Sequence, residues 1–237
     1  MNPKILLSIL LLPLSACMTT PKTIETHISQ ARSYLAKGDR VQAVKEYDQI
    51  ISIRNNVADD YARRGHILAE LNELESAEKD FDQALRLDPN HAMAAFDRSQ
   101  AYLVNGAREQ ALKDIESAVR ISPDNSRFIG ARCVIRVAWG QIDNGLADCD
   151  QAVMLQKGRD NAHVSRGQAY LLLNRNRDAL ADFEAALRLN PNHMRALYGR
   201  GLARERLGDI NGADADMKNA TQRLPGAGRD FIQRTGS

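Results

Sequence analysis

The chain has 237 residues, with 32 Lys and Arg against 30 Asp and Glu, so its formal net charge is only +2. This balance, together with the lack of any Lys/Arg run in the sequence, argues against a nucleic-acid-binding protein. Aromatic residues make up 5% of the chain. That content suits helices packed through small side chains better than a β-sandwich.

The N-terminal segment has the layout of a secretory signal. Lys4 precedes an apolar run over residues 5–14, and small residues follow. The run is too short for a membrane-spanning helix, which needs about 20 residues. Residues 14–17, Leu-Ser-Ala-Cys, resemble the lipobox of bacterial lipoproteins. The resemblance implies that residues 1–16 are cleaved and that Cys17 is acylated. An ordinary signal peptide that ends near a cysteine is the alternative.

Residues 17–23 then form the acylated cysteine and a short polar tether. The six residues after Cys17 reach at most ~20 Å when fully extended. We therefore expect the folded part to lie close to a bilayer. Met18, rather than Asp, follows the cysteine. By the enterobacterial sorting rule, this predicts anchoring in the outer membrane, with the folded part facing the periplasm.

A period of 34 residues organises the rest of the chain. The segment Leu-Asp-Pro-Asn-His at 87–91 recurs as Leu-Asn-Pro-Asn-His at 189–193, three periods later. Such internal repetition is the signature of stacked supersecondary units. Stepping by this period sets six repeats without insertion or deletion, followed by a short tail at 228–237; the repeats are 24–57, 58–91, 92–125, 126–159, 160–193 and 194–227.

Three columns of residues recur in every repeat. Position 8 is mostly small: Ala31, Gly65, Ser99, Cys133, Gly167 and Gly201. Position 20 is small throughout: Ala43, Ala77, Ala111, Gly145, Ala179 and Ala213. Position 24 is larger and apolar: Tyr47, Phe81, Ile115, Cys149, Phe183 and Met217. Small residues at two positions let antiparallel helices approach closely, and the larger residue fills the space beside them.

These columns resemble the tetratricopeptide repeat (TPR) family along the whole of 24–227. The resemblance implies an all-α fold, a right-handed α-solenoid of six helical hairpins with about 12 helices. In the second repeat we expect one helix over 58–71 and another over 74–87. No single repeat can bury its apolar face alone, so the stack itself makes the core.

An arginine and an aspartate also recur through repeats two to six. Position 7 holds Arg64, Arg98, Arg132, Arg166 and Arg200, and position 23 holds Asp80, Asp114, Asp148, Asp182 and Asp216. We predict Arg–Asp pairs that fix the geometry of the stack; a ligand-binding role is the alternative. Partly exposed pairs would each contribute only ~0–1 kcal/mol.

Cys133 and Cys149 are the two cysteines of the repeats, and both lie in repeat four. An exported protein permits a disulfide, and closing this loop could contribute ~3 kcal/mol. It would offset Gly130, Gly140 and Gly145, which weaken helices by up to ~1 kcal/mol each. Two buried thiols are the alternative. The five scattered histidines indicate neither a metal site nor a cofactor.

In TPR proteins the concave groove is lined by positions 2, 5, 9, 12 and 13 of the first helix. Carried onto this chain, these positions predict an apolar middle with charged ends, which would suit a helix or an extended apolar peptide. Packing against the next helix is the alternative, and the Lys/Asn clamp of chaperone-binding TPRs is missing. The candidate groove residues are Met93, Phe96, Gln100, Leu103, Val104, Val134, Val137, Val164, Gln168, Leu171, Tyr198 and Leu202.

The sequence therefore predicts a scaffold or adaptor lipoprotein that binds a protein or peptide partner and is held at the membrane by its lipid. Envelope, pilus or secretion assembly and regulation of a cell-wall enzyme are the candidate processes. A tethered periplasmic chaperone is the alternative. A bare last helix predicts self-association or a partner that completes the stack. We expect no enzymatic activity, because packing explains every regular position.

Overall fold

The computed structural model describes residues 23–155 and 159–223. The predicted signal, Cys17 and the C-terminal tail lie outside the described residues. Within these ranges the chain is all α, with no strand, as the repeat pattern predicted. The helices are α1 Ile24–Ala36, α2 Arg40–Ile53, α3 Ala58–Glu70, α4 Leu74–Leu87, α5 Ala92–Val104, α6 Arg108–Ile121, α7 Ser126–Ala138, α8 Ile142–Met154, α9 Arg159–Leu172, α10 Asn176–Leu189, α11 Met194–Arg206 and α12 Ile210–Arg223.

Consecutive helices pair into six hairpins, each made of a first (A) helix and a second (B) helix. The helices predicted for repeat two are confirmed, with one residue of difference at the end of α3. Each hairpin packs on the next through its B helix and the following A helix. The core is therefore a row of small apolar clusters along the stack.

The turn inside every hairpin uses a left-handed residue at repeat position 15. Glycine occupies it in four repeats, for example Gly140 with φ 82°, while Asn72 and Asn174 occupy it in the other two. Glycine and asparagine adopt this conformation at the lowest cost. Gly140 therefore lies outside both helices and ends α7. The expectation from the sequence that Gly140 weakens a helix was wrong.

Histidines cap two of the A helices. The Nδ1 atoms of His91 and His193 accept hydrogen bonds from the backbone N–H groups of Ala94 and Ala196, at 3.1 and 3.3 Å. A cap of this kind satisfies one of the four N–H groups left over at a helix start. The repeated Pro-Asn-His segments are thus helix-start signals.

Positions 8 and 24 face each other inside each hairpin. A Cβ atom added to Gly65 or Gly167 would lie 2.9 Å from the ring of Phe81 or Phe183. Both rings are fully buried. The small residue thus makes room for the large one, as the columns predicted. We call this contact the 8/24 slot.

The arginine and aspartate columns form bidentate pairs inside hairpins two to six. In repeat three, for example, the Arg98 guanidinium donates to both carboxylate oxygens of Asp114, at 2.6 and 2.8 Å. The five aspartates are buried, at 4–5% exposure. This is deeper than the sequence suggested, because position 23 points into the hairpin. The five pairs are Arg64–Asp80, Arg98–Asp114, Arg132–Asp148, Arg166–Asp182 and Arg200–Asp216.

Three of these arginines also reach the preceding hairpin. Arg64, Arg98 and Arg166 donate to Asp48, Asp82 and Asp150, at 2.6 to 2.8 Å. These aspartates are about half exposed, so each outer contact contributes little free energy. The arginines nevertheless link neighbouring repeats and set their relative orientation.

None of the helices within 23–155 and 159–223 is long and apolar enough to cross a bilayer.

Candidate functional site

Half of the predicted groove residues are buried between helices. Packing against the B helix of the same hairpin and against the next hairpin removes them from solvent, so the expected open apolar trough is not present at these positions. Phe96 and Val164, for example, are 1% and 0% exposed. The buried members are Phe96, Val134, Val137, Val164, Gln168 and Leu171.

The other predicted groove residues remain accessible on one surface. Met93 and Val104 are 40% and 41% exposed and lie at the two ends of α5. Gln100, Leu103, Tyr198 and Leu202 are half-buried. We call the surface made by α5, α7, α9 and α11 the A face.

A pocket opens on the A face across repeats three to six. It offers about 40 Å³ to the centres of water molecules, enough for about three waters or one small polar group. Four successive A helices contribute to its wall. The lining residues are Phe96, Gln100, Leu103, Arg127, Ala131, Val134, Ile135, Asn161, Ser165, Gln168 and Arg195.

The pocket lies where α7 and α9 approach more closely than the other neighbouring A helices. Gly130 of α7 permits this approach, because a Cβ atom there would lie 2.8 Å from the hydroxyl oxygen of Ser165. Gly130 is thus a packing position between repeats four and five. The close contact brings side chains of both helices to one rim.

Two arginines stand at the rim. The Arg127 guanidinium lies over the Phe96 ring, 4.5 Å from its centroid, and this cation–π contact orients it. Arg195 is half-buried and its guanidinium donates to Asn161 Oδ1 at 3.5 Å. Of the described residues that line the pocket, none is acidic. The pocket is therefore electropositive.

Gln168 supplies a polar group with no partner. Its side chain is buried, at 2% exposure, and its amide nitrogen has no hydrogen-bond acceptor among the described residues. A buried donor left unpaired costs about 1–3 kcal/mol. The pocket thus holds an amide that an incoming acceptor would satisfy.

A histidine and a carboxylate lie beside the pocket. The Nδ1 atom of His66 is 3.0 Å from Asp97 Oδ2. The hydrogen bond with Asp97 raises the pKa of His66 above its ordinary value, against the effect of burial. Arg127 opposes this rise by its charge. Asp97 is therefore already engaged by His66.

The groove columns predicted five residues of this lining, Phe96, Gln100, Leu103, Val134 and Gln168, but not Arg127, Asn161 or Ser165. Arg127 and Asn161 occupy position 2, one of the groove columns, and Ser165 occupies position 6. Position 2 carries the signal in the sequence, because both Arg127 and Arg195 occupy it.

The two cysteines occupy the 8/24 slot of repeat four. The structure joins their sulfur atoms, with the Cα atoms 5.2 Å apart, a separation typical of disulfides. Both side chains are fully buried. Within the described residues, no group of three or more His, Cys, Asp or Glu side chains is arranged to hold a metal ion.

Comparison with protein families matches a tetratricopeptide repeat model to residues 62–126 and 164–227, together more than half of the chain. A comparison with curated proteins found no match.

Solved TPR structures share the fold. A thermophilic TPR protein of Thermus thermophilus is 18% identical, with a TM-score of 0.66 over 78% of this chain and 99% of that one. A TPR protein of Parabacteroides merdae is 15% identical, with a TM-score of 0.62 over 90% and 89%. The protein YrrB, described as a TPR protein with an unusual peptide-binding site, is 24% identical, with a TM-score of 0.50 over 76% and 92%.

Proposed function

The chain belongs to the tetratricopeptide repeat family, and from this premise we propose that it is a membrane-anchored scaffold that binds a protein partner on its A face. TPR proteins generally mediate protein–protein interactions, and the family is typically non-enzymatic. The finer elements of the proposal are the site of binding, the membrane anchor and the cell compartment. Each has its own support.

The observation that carries the proposal is the A-face pocket. It is formed by side chains of four successive A helices, and the half-exposed Met93 and Val104 lie on the same face. A concave polar pocket beside accessible apolar side chains is typical of a surface that recognises an extended or helical segment. The A face is therefore the proposed docking surface.

A scaffold fits this face better than a chaperone. A chaperone for apolar clients needs a broad apolar surface, but Val134, Val164 and Leu171 are buried between helices. The remaining pocket is small, and charged and amide side chains line it together with apolar ones. Such a surface favours one specific partner over many apolar ones.

The proposed anchor is the lipid on Cys17. Its support is the sequence Leu-Ser-Ala-Cys at 14–17 after a short apolar run. Several acyl chains on one residue would hold the protein at a bilayer, at about 0.8 kcal/mol per buried methylene. The proposed location is the outer membrane of a bacterium, facing the periplasm, with a role in envelope, pilus or secretion assembly or in the control of a cell-wall enzyme.

Site-specific photocrosslinking of the full chain in cells tests the docking surface. A photoreactive residue would replace Met93 or Val104 on the A face. The matched control is Ile53, which is 53% exposed at the end of a B helix. We expect one or two discrete crosslinked proteins from the A-face positions and none of them from Ile53. Crosslinks only from Ile53 would refute the proposed face, and many weak products would favour the chaperone.

The anchor is tested with Cys17→Ser. We expect the wild-type protein to sediment with membranes and to carry acyl chains on Cys17 by mass spectrometry. The variant should lose the acyl chains and leave the membrane fraction. An acyl-free wild-type protein with an intact or differently cleaved N-terminus would remove the lipid from the proposal.

A further inference from the structure

We propose that the A-face pocket binds the carboxylate of an aspartate or glutamate side chain in the partner. This inference rests on the proposed function, since it names the group that the docked segment would insert. It places Gln168, Arg127 and Arg195 in the recognition of that carboxylate.

The first argument is the unpartnered amide of Gln168. A buried N–H donor requires an acceptor, and the described residues offer none to the Gln168 amide nitrogen. Gln168 lines the pocket, so a ligand oxygen can reach it there. The free protein thus carries an unsatisfied donor that binding would satisfy.

The second argument is charge. The described lining includes Arg127 and Arg195 and no acidic residue. Guanidinium groups and carboxylates form the strongest common hydrogen-bonded pairs, because both partners are charged and planar. Asp97, the carboxylate beside the pocket, is held by His66. A ligand carboxylate in the pocket would therefore meet two cations of the lining.

The third argument is size. A volume of about 40 Å³ for water centres admits about three waters. A carboxylate on a short stem fits this volume, whereas a chain terminus would bring a further side chain and a backbone amide into it. The A face continues past the pocket towards Met93 on one side and Tyr198 on the other. We therefore assign the carboxylate to a side chain within a longer segment rather than to a C-terminus.

Nucleic acid is the less favoured source of an anionic oxygen. The A helices of repeats one and two carry Glu25, Asp59 and Glu70, all exposed. Asp59 and Glu70 are paired with Arg63 and Arg40, so these helices offer no excess of positive charge to a phosphate backbone that followed the same face. A peptide with an isolated acid and otherwise apolar residues needs no such excess.

The test uses the full chain purified in detergent and a phage-displayed library of random dodecapeptides. The peptides are fused through their C-termini, so no terminal carboxylate is available. The enriched peptides are then synthesised with amidated C-termini. We expect them to share an Asp or Glu at a fixed place, and replacement of that residue by Asn or Gln should weaken binding by about tenfold or more.

Protein variants give the matched comparison. Three variants, Arg127→Gln, Arg195→Gln and Gln168→Leu, should each weaken binding of the acidic peptide by about tenfold. Binding of the version of the peptide with Asn or Gln should stay almost unchanged. The control is Arg120→Gln, an exposed arginine on a B helix that donates to Ser117. Gln168→Leu removes an unpaired donor, so it should retain the thermal midpoint of the wild type while losing affinity.

The outcomes separate the two proposals. Enriched peptides that share no acid, or acidic peptides that bind Arg127→Gln as well as wild type, overturn the carboxylate assignment and leave the docking face intact. Two further probes are the same peptides with a free C-terminal carboxylate and a single-stranded RNA oligonucleotide. Binding that appears only with one of these probes overturns the assigned source. A failure to enrich any peptide, with A-face crosslinks also absent, removes the proposed function itself.

Discussion

Repeats four and five fill the same slot in opposite ways. In repeat five, Gly167 leaves space that the Phe183 ring occupies, so a Cβ at Gly167 would be only 2.9 Å from that ring. In repeat four, Cys133 and Cys149 hold the same two positions and the structure joins them. One hairpin is held by the burial of a large ring, and its neighbour by a covalent link between two small side chains.

The two repeats also neutralise their buried aspartate differently. Asp148 of repeat four accepts from Arg132 and also from Arg136 at 2.8 Å. Asp182 of repeat five accepts from Arg166 and lies 2.8 Å from His163 Nδ1. The backbone arrangement is therefore common to both hairpins, while the side chains that stabilise it are exchangeable. What must be retained is a filled slot and a paired carboxylate.

The largest expected effect comes from emptying the slot of repeat five. Phe183→Ala removes a fully buried ring and should lower the free energy of unfolding by about 4 kcal/mol. Denaturant unfolding followed by circular dichroism measures it. The control Leu189→Ala, at a side chain 54% exposed, should cost less than about 0.5 kcal/mol. Equal losses in the two variants would show that the slot does not hold the hairpin.

The disulfide of repeat four is expected to have the second-largest effect on stability. Reduction of Cys133–Cys149, which are 16 residues apart, should lower the free energy of unfolding by about 3 kcal/mol. Unfolding with and without reductant measures the difference. The variant Cys133→Ala/Cys149→Ala should be as unstable as the reduced protein and insensitive to reductant. A wild-type protein whose stability does not change with reductant, and which shows two reactive thiols when it is unfolded without reductant, would contradict the disulfide.

Replacing the paired arginine should lower the free energy of unfolding by a smaller amount, and by different amounts in the two repeats. Arg166→Leu leaves the buried Asp182 with His163 alone and should cost about 2 kcal/mol. Arg132→Leu leaves Asp148 with the guanidinium of Arg136 and should cost about 1 kcal/mol. The double variant Arg166→Leu/Asp182→Leu should recover part of the loss, because no buried charge then lacks its partner. Equal costs in repeats four and five would mean that Arg136 and His163 are equivalent partners.

The smallest effect concerns pH. Burial alone would raise the pKa of Asp182, but hydrogen bonds from His163 and Arg166 outweigh it and lower the pKa below the ordinary 3.8. The contribution of this carboxylate to stability is therefore present above the ordinary pKa and is lost as the pH falls through the lowered value. An NMR titration of the Asp182 carboxyl carbon should have its midpoint below 3.8. In His163→Leu the midpoint should rise, and an unchanged midpoint would assign the effect to Arg166 alone.

The A face shows where prediction from sequence stops. The groove columns lie on the A helices, and five of the predicted residues, Phe96, Gln100, Leu103, Val134 and Gln168, line the pocket. The sequence left open whether residues such as Leu171 line a groove or pack against the next helix, because the choice depends on how closely the repeats approach each other. That distance is set by contacts such as Gly130 against Ser165, which join residues of different repeats.

The sequence by itself determined the number of hairpins, their helices and the pairing of position 7 with position 23, because these depend on residues at fixed spacing within one repeat. The same locality located the cysteines in one slot. Only the tertiary structure decided which side chains face solvent on the A face and which polar groups meet in its pocket. Those outcomes depend on the packing of one repeat against the next, where a single small residue changes what is covered.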